Sequence, residues 1–205
     1  MNFSELKKRT YSYLGFRSVA RNAETDAIIE DCIEELKKLS HFRYIYKFFE
    51  APPQFLSAQP YTDYLAGSKG VIIAVMTLGG EVDRRIKFYE RTDAAKSVVL
   101  DACASAYLEE LSDDYEKGLG LKLSYRFCPG YGGSSVSDLK YIFGILNPEK
   151  TGITLSENNY MLPSKSMAGI IAVGNSSQKS CESCTVFGHC EYRKEGNRCY
   201  GSVKK

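Results

Sequence analysis

Apolar and polar residues alternate with clear periods along most of the chain. Phe3 to Tyr13 reads as a short helix closed by Gly15, a residue suited to the left-handed position after a helix. A stronger helix is predicted from about Thr25 to Leu39. There Ile28, Ile29, Cys32, Ile33, Leu36 and Leu39 recur at helical spacing, and Glu30, Asp31, Glu34, Glu35 and Lys38 face away. Phe42 to Phe49 switches to a period of two, with Phe42, Tyr44, Tyr46 and Phe48 set against Arg43 and Lys47, the pattern of a half-buried strand ended by Pro52-Pro53. Gly70 to Gly79 encloses the run VIIAVMTL, short, apolar and partly β-branched, which predicts a fully buried strand. Glu81 to about Lys117 is helical with a break near Thr92-Asp93, and its buried stripe takes in Val98, Val99, Ala102, Cys103, Ala106 and Tyr107.

Leu121 to Cys128 alternates again, Leu121, Leu123, Tyr125 and Phe127 on one face and Lys122, Ser124 and Arg126 on the other, which predicts a strand. Pro129-Gly130-Tyr131-Gly132-Gly133 is a turn, followed by a helix from Val136 to Leu146, with Ser135 and Asp138 spaced as a capping box. Asn147-Pro148 stops that helix, and Ile153 to Leu155 and Met167 to Val173 are further short strands. From Asn175 the periodicity ends, so residues 1–174 read as a body and 175–205 as a tail. Strands and helices mix without strict βαβ alternation, which favours an α+β fold.

Composition narrows the function. The 205 residues carry 27 Lys and Arg against 25 Asp and Glu, a net charge of +2, which argues against a nucleic-acid binder. The longest uncharged stretch, Ser166 to Gln178, falls short of the roughly 18 apolar residues of a membrane-spanning helix. The opening MNFSELKKRTYSYLG lacks the apolar core of a secretory signal, and the expected compartment is the cytoplasm.

The glycine-rich turn can be tested against phosphate-binding motifs. PGYGGSSVSD has no Lys before Lys140, so it is not a P-loop, and no GxGxxG follows the strand ending at Leu78. What remains is Arg126 beside a turn with free backbone donors and one aromatic, Tyr131. That combination suits a small zwitterion or carboxylate, since the guanidinium is a planar fork of donors and glycines allow close backbone approach. It equally suits a structural turn with a solvated arginine. His41 and His189 belong to no recognisable acid–base pair, so no catalytic residue is assigned.

Arg126-Phe-Cys-Pro-Gly-Tyr131, followed by Thr151-Gly-Ile-Thr-Leu-Ser-Glu157-Asn-Asn-Tyr-Met-Leu-Pro163-Ser-Lys-Ser166-Met-Ala-Gly169, resembles the activation domain of cobalamin-dependent methionine synthase. That family pairs an R-x-x-P-G-Y turn with a later G-x-x-L-[TS]-E…M-x-P…S-x-[SA]-G stretch. The segment Thr77 to Ile86 (TLGGEVDRRI) and the helix from Asp101 to Glu109 resemble its smaller, free-standing members. The resemblance spans about Leu14 to Val173. It implies an α+β fold around a bent antiparallel sheet, and binding of S-adenosylmethionine while the oxidised corrinoid of a methionine synthase is reduced by one electron and remethylated. By motif, Arg126 is expected to hold the ligand carboxylate, Tyr131 to flank it, and backbone around Cys128 and Gly130 to meet adenine or ribose. After Gly169 this chain has Ile171-Ala172 where the full-length enzymes carry aromatics. The family's N-terminal ligand-binding aspartate has no matching motif. Glu157 has two readings, a partner to the ligand ammonium or to Arg126, or a carboxylate that orients the turn. No D-x-H-x-x-G cobalamin motif is present, so the resemblance implies a separate cobalamin-binding methionine synthase or corrinoid protein as partner, and a reductant such as flavodoxin or ferredoxin.

Cys181, Cys184, Cys190 and Cys199 form a C-x2-C-x5-C-x8-C cluster in the tail, a set able to supply four thiolates to zinc or to an iron–sulfur cluster. Free thiols or disulfides are the alternatives. A rival reading of the whole chain is a metal-stabilised binding or interaction module with no catalytic role. The tail's basic residues, interrupted by acidic and polar ones, read as a solvated surface.

Overall fold

The computed structural model describes residues 2–16, 23–174 and 187–194. Helix α1 is Phe3–Tyr13, started by Asn2, whose side chain accepts from the Ser4 and Glu5 amides, and closed by Gly15 at φ +78°. Helix α2 is Ala23–Leu39 and strand β1 is Arg43–Phe49. The short helix α3, Tyr61–Leu65, precedes strand β2, Gly70–Thr77, in which all eight residues are buried. Helices α4 (Gly80–Thr92) and α5 (Ala94–Gly118) are separated at Asp93, which leaves helical geometry and caps α5 by accepting from the Lys96 amide at 3.0 Å. The break expected near Thr92-Asp93 is thus a new N-cap. A 3-10 turn, Val136–Asp138, leads into α6, Leu139–Leu146, which stops at left-handed Asn147. Strands β3 (Thr154–Leu155) and β4 (Met161–Leu162) pair antiparallel, with Thr154 opposite Leu162. Strand β5 is Ser166–Val173. The main sheet is antiparallel, in the order β1-β2-β5, and the α+β class holds.

The chain forms two compact units. The first comprises Met1–Ile45, Met76–Leu119 and Pro148–Met167. In it α5 packs against α1, α2 and α4 around a core that includes Leu6, Ile29, Ile33, Leu36 and Leu100. Val98 departs from the expected stripe and is 62% exposed, because three packed helices bury most other directions around α5 and Val98 shares its remaining face with exposed Asp101. Four side chains fasten the segment entering β5. Asp83 of α4 accepts from the Ser164 amide (2.6 Å) and hydroxyl (2.9 Å). The Ser166 hydroxyl reaches Thr77 Oγ1 at 2.8 Å, and Lys165 Nζ reaches Asp101 at 2.8 Å and Ser105 at 3.0 Å.

The second unit comprises Tyr46–Val75, Gly120–Asn147 and Ala168–Lys205. Here the expected strand from Leu121 to Cys128 is replaced by two isolated antiparallel bridges to β5, Leu123 to Val173 and Phe127 to Ile170. The ladder is interrupted by hydroxyls. The Ala172 amide donates to Ser124 Oγ (3.0 Å) and Tyr64 Oη (3.2 Å) instead of to a facing carbonyl. Ser124 is therefore buried, whereas Leu121 is 48% exposed, opposite to the alternation in sequence. The capping box is also only half made. Ser135 accepts from the Ser137 amide, while Asp138 accepts instead from the Tyr61 hydroxyl at 2.7 Å.

Candidate functional site

The candidate site lies in the second unit, on the segment that runs beside β5 and the turn that follows it. Arg126 is half-buried, with Nη1 covered, and its stem crosses Gly169 of β5. A Cβ at Gly169 would stand 3.3 Å from Arg126 Cβ and Cγ and 3.4 Å from Cδ. Absence of a side chain at 169 thus sets the path of the guanidinium.

The following turn is built by its own backbone. The Tyr131 amide donates to the Cys128 carbonyl (3.2 Å), and the Ser134 amide to the Tyr131 carbonyl (3.0 Å). The Ser134 hydroxyl accepts from the Gly130 amide at 3.1 Å and donates to the Tyr131 carbonyl at 2.7 Å. Gly130, Gly132 and Gly133 all take positive φ, +91°, +58° and +86°. Gly132 also faces Phe127, whose Cζ would be 2.9 Å from an added Cβ, whereas nothing stands within 4 Å of one at Gly133. The turn rests on Phe127 and leaves open space at its tip, where Tyr131 is 71% exposed.

Aromatic rings hold Phe127 in turn. Tyr61 packs edge-on at 5.4 Å, and Tyr64 lies tilted against it at 5.1 Å. The Tyr64 hydroxyl joins Ser124, the Tyr125 carbonyl, the Ile170 carbonyl and the Ala172 amide, tying α3 to the Arg126 segment and to β5. Burial pushes the Tyr64 phenol well above its ordinary range, and burial together with the Asp138 carboxylate does the same for Tyr61. Both are neutral, so Arg126 contributes formal charge to the site and they do not.

The residues singled out in sequence are placed unequally. Arg126, Cys128, Gly130 and Tyr131 come together on this turn. Ile171 and Ala172 are fully buried in β5, with the Ala172 amide committed internally. Glu157 belongs to the first unit and stands exposed in the β3–β4 turn. That turn is closed by Ser156 and Asn159: the Asn159 amide donates to the Ser156 carbonyl, and the Tyr160 amide to Ser156 Oγ, both at 3.0 Å. Sequence reasoning missed the Arg126–Gly169 contact, the Tyr64 hydroxyl cluster and the Asp83–Ser164 latch. Arg126 and Gly169 lie in paired motifs and Asp83 within the TLGGEVDRRI segment, but nothing in those motifs says which residues touch.

Of the four tail cysteines only Cys190 is among the described residues, half-buried and free; Cys181, Cys184 and Cys199 lie outside them. Among the described residues no three His, Cys, Asp or Glu side chains gather as a metal site, and no helix is long and apolar enough to cross a membrane.

Sheet, helices and turn define an α+β domain with an arginine-and-glycine candidate ligand turn. Its fold is similar to that of the MetH reactivation domain. The crystal structure of that domain bound to AdoHcy matches with a TM-score of 0.56 over 89% of this chain and 76% of that chain, at 15% identity. No protein-family model and no curated protein matches the sequence.

Proposed function

We propose that this chain is an S-adenosylmethionine-binding component that supports reductive methylation of the cobalamin of a separate methionine synthase or related corrinoid methyltransferase. The observation that carries the reading is the Arg126 turn, fastened across Gly169, in a fold shared with a domain whose structure holds AdoHcy. The residues fit an amino-acid sulfonium ligand. Arg126 offers a two-pronged donor for the carboxylate, Tyr131 an exposed aromatic face, and the glycine at 133 an approach clear of side chains. Backbone at Cys128 and Gly130 would meet adenine or ribose. When bound, S-adenosylmethionine supplies an electrophilic methyl on sulfur and leaves as S-adenosylhomocysteine.

The chain's own task is to hold that ligand while the chemistry happens on the partner. One electron from a flavodoxin- or ferredoxin-like donor, plus the methyl group, converts the partner's cobalt(II) corrinoid to methylcobalamin. We extend the proposal to the tail. Its four cysteines are soft ligands suited to zinc or an iron–sulfur cluster, and the latter could serve in electron supply.

The test is reconstitution. With cobalamin-loaded methionine synthase, reductant and S-adenosylmethionine, the chain should restore the absorption spectrum of methylcobalamin; alone it should not. Tight cobalamin binding by the isolated chain, or tail-dependent RNA or DNA binding without reactivation, would favour the rival interaction-module reading.

A further inference from the structure

Helix α3 places two buried tyrosines, Tyr61 and Tyr64, three positions apart on one face. Between them they reach both legs of the ligand turn. On the near leg the Tyr64 hydroxyl meets the Tyr125 carbonyl, next to Arg126. On the far leg the Tyr61 hydroxyl donates to Asp138 Oδ2 at 2.7 Å, across 77 positions of sequence. Asp138 ends the Val136–Asp138 3-10 turn, and its amide donates to the Ser135 carbonyl at 3.2 Å. That short turn sets Val136 beside Gly130, where an added Cβ would stand 3.6 Å from Val136 Cβ. The Tyr61 ring also meets Phe127 at 5.4 Å, the residue on which Gly132 rests. Tyr61 thus touches the support of the turn and, through Asp138, its closing leg.

We propose that Tyr61 and Asp138 are positioning residues that give the ligand turn its shape before the ligand arrives. The proposal rests on the reading of that turn as the S-adenosylmethionine site and names what prepares it. Gly130, Gly132 and Gly133 at positive φ leave the turn free to take other conformations. Its own hydrogen bonds at Cys128, Gly130, Tyr131 and Ser134 fix the tip only relative to itself. The Tyr61–Asp138 bond fixes the far leg relative to α3, and a hydrogen bond to a carboxylate is stronger than one between neutral groups. Ordering the turn beforehand removes an entropic cost that binding would otherwise carry. Both residues act through Val136, Gly130 and Phe127 rather than by touching the ligand.

The test compares the intact wild-type chain with Tyr61→Phe, which keeps the ring against Phe127 and removes the hydroxyl, and with Asp138→Ala and Asp138→Asn. Hydrogen–deuterium exchange of the peptide spanning residues 128–138 is measured without ligand, and affinity by calorimetric titration with S-adenosylhomocysteine. Tyr61→Phe and Asp138→Ala should exchange faster in that peptide. They should also bind about tenfold more weakly, the loss expected when the turn is formed about a tenth of the time. Asp138→Asn, whose amide oxygen can still accept from Tyr61, should recover most of both effects. A role in stability alone would lower the melting temperature and leave affinity untouched. Wild-type affinity in folded Tyr61→Phe and Asp138→Ala, or weaker affinity with unchanged exchange, would overturn the proposal while leaving the ligand reading in place. A wild-type chain that binds no S-adenosylhomocysteine would overturn both.

Discussion

The stem of Arg126 lies across Gly169, so close that a methyl group on residue 169 would meet it at 3.3–3.4 Å. Gly169 does not have a positive φ, so alanine is allowed by the backbone and the whole effect falls on Arg126. Gly169→Ala should shift the guanidinium by a few tenths of an ångström. It should weaken S-adenosylhomocysteine binding roughly tenfold, about 1.4 kcal/mol, with the circular dichroism spectrum unchanged. Wild-type affinity in this variant would show that the contact does not position the ligand group.

Two neighbouring glycines separate backbone strain from crowding. Gly133→Ala meets only the cost of a left-handed residue, about 1–2 kcal/mol. Gly132→Ala adds a collision with Phe127 at 2.9 Å and should cost on the order of 1–3 kcal/mol more. Urea midpoints of the two variants measure the difference, and equal midpoints would mean that Phe127 yields freely.

The Tyr64 hydroxyl is the common partner of α3, the Arg126 segment and β5. Tyr64→Phe should destabilise the protein by about 1–3 kcal/mol, because partners buried around the hydroxyl lose a hydrogen bond. The pH dependence has a definite sign. The folded phenol binds its proton more tightly than the unfolded one, whose pKa is near 10. This contribution is complete below pH 10 and is lost as pH rises through the folded value. Denaturation between pH 8 and 11 should show wild-type stability falling at the alkaline end, and a shallower fall in Tyr64→Phe.

Helices were the most legible part of the sequence. α1 and α2 follow their apolar spacing, and the α4–α5 break at Asp93 was marked by a polar residue able to cap. The Leu121–Cys128 segment misled because alternation cannot register that Ser124 and Tyr64 hydroxyls replace backbone partners of Ala172. The Arg126 turn was readable from its glycines and arginine, but its support was not. Gly169 lies 43 positions away, and a missing side chain carries no periodic signal. Asp83 was likewise unreadable as a latch, since nothing in a helical carboxylate says it will reach Ser164.

For the tail, Cys181, Cys184, Cys190 and Cys199 should bind one metal site per chain. Replacing any one by Ser should release the metal and leave melting of the body unchanged. Metal analysis of protein purified without oxygen or chelator tests this, with iron and acid-labile sulfide, or zinc, as the expected results. Neither metal, together with four freely titratable thiols, would leave the tail a plain extension.

The central claim is that the Arg126 turn binds the sulfonium ligand and its product, and calorimetric titration of the full chain with S-adenosylhomocysteine tests it most directly. Saturable one-to-one binding is expected. Arg126→Ala should weaken it by about 1.5–3 kcal/mol, the range for hydrogen bonds to a charged group, and Arg126→Lys should recover only part. No heat of binding to the folded protein, or wild-type affinity in a folded Arg126→Ala variant, would contradict the account.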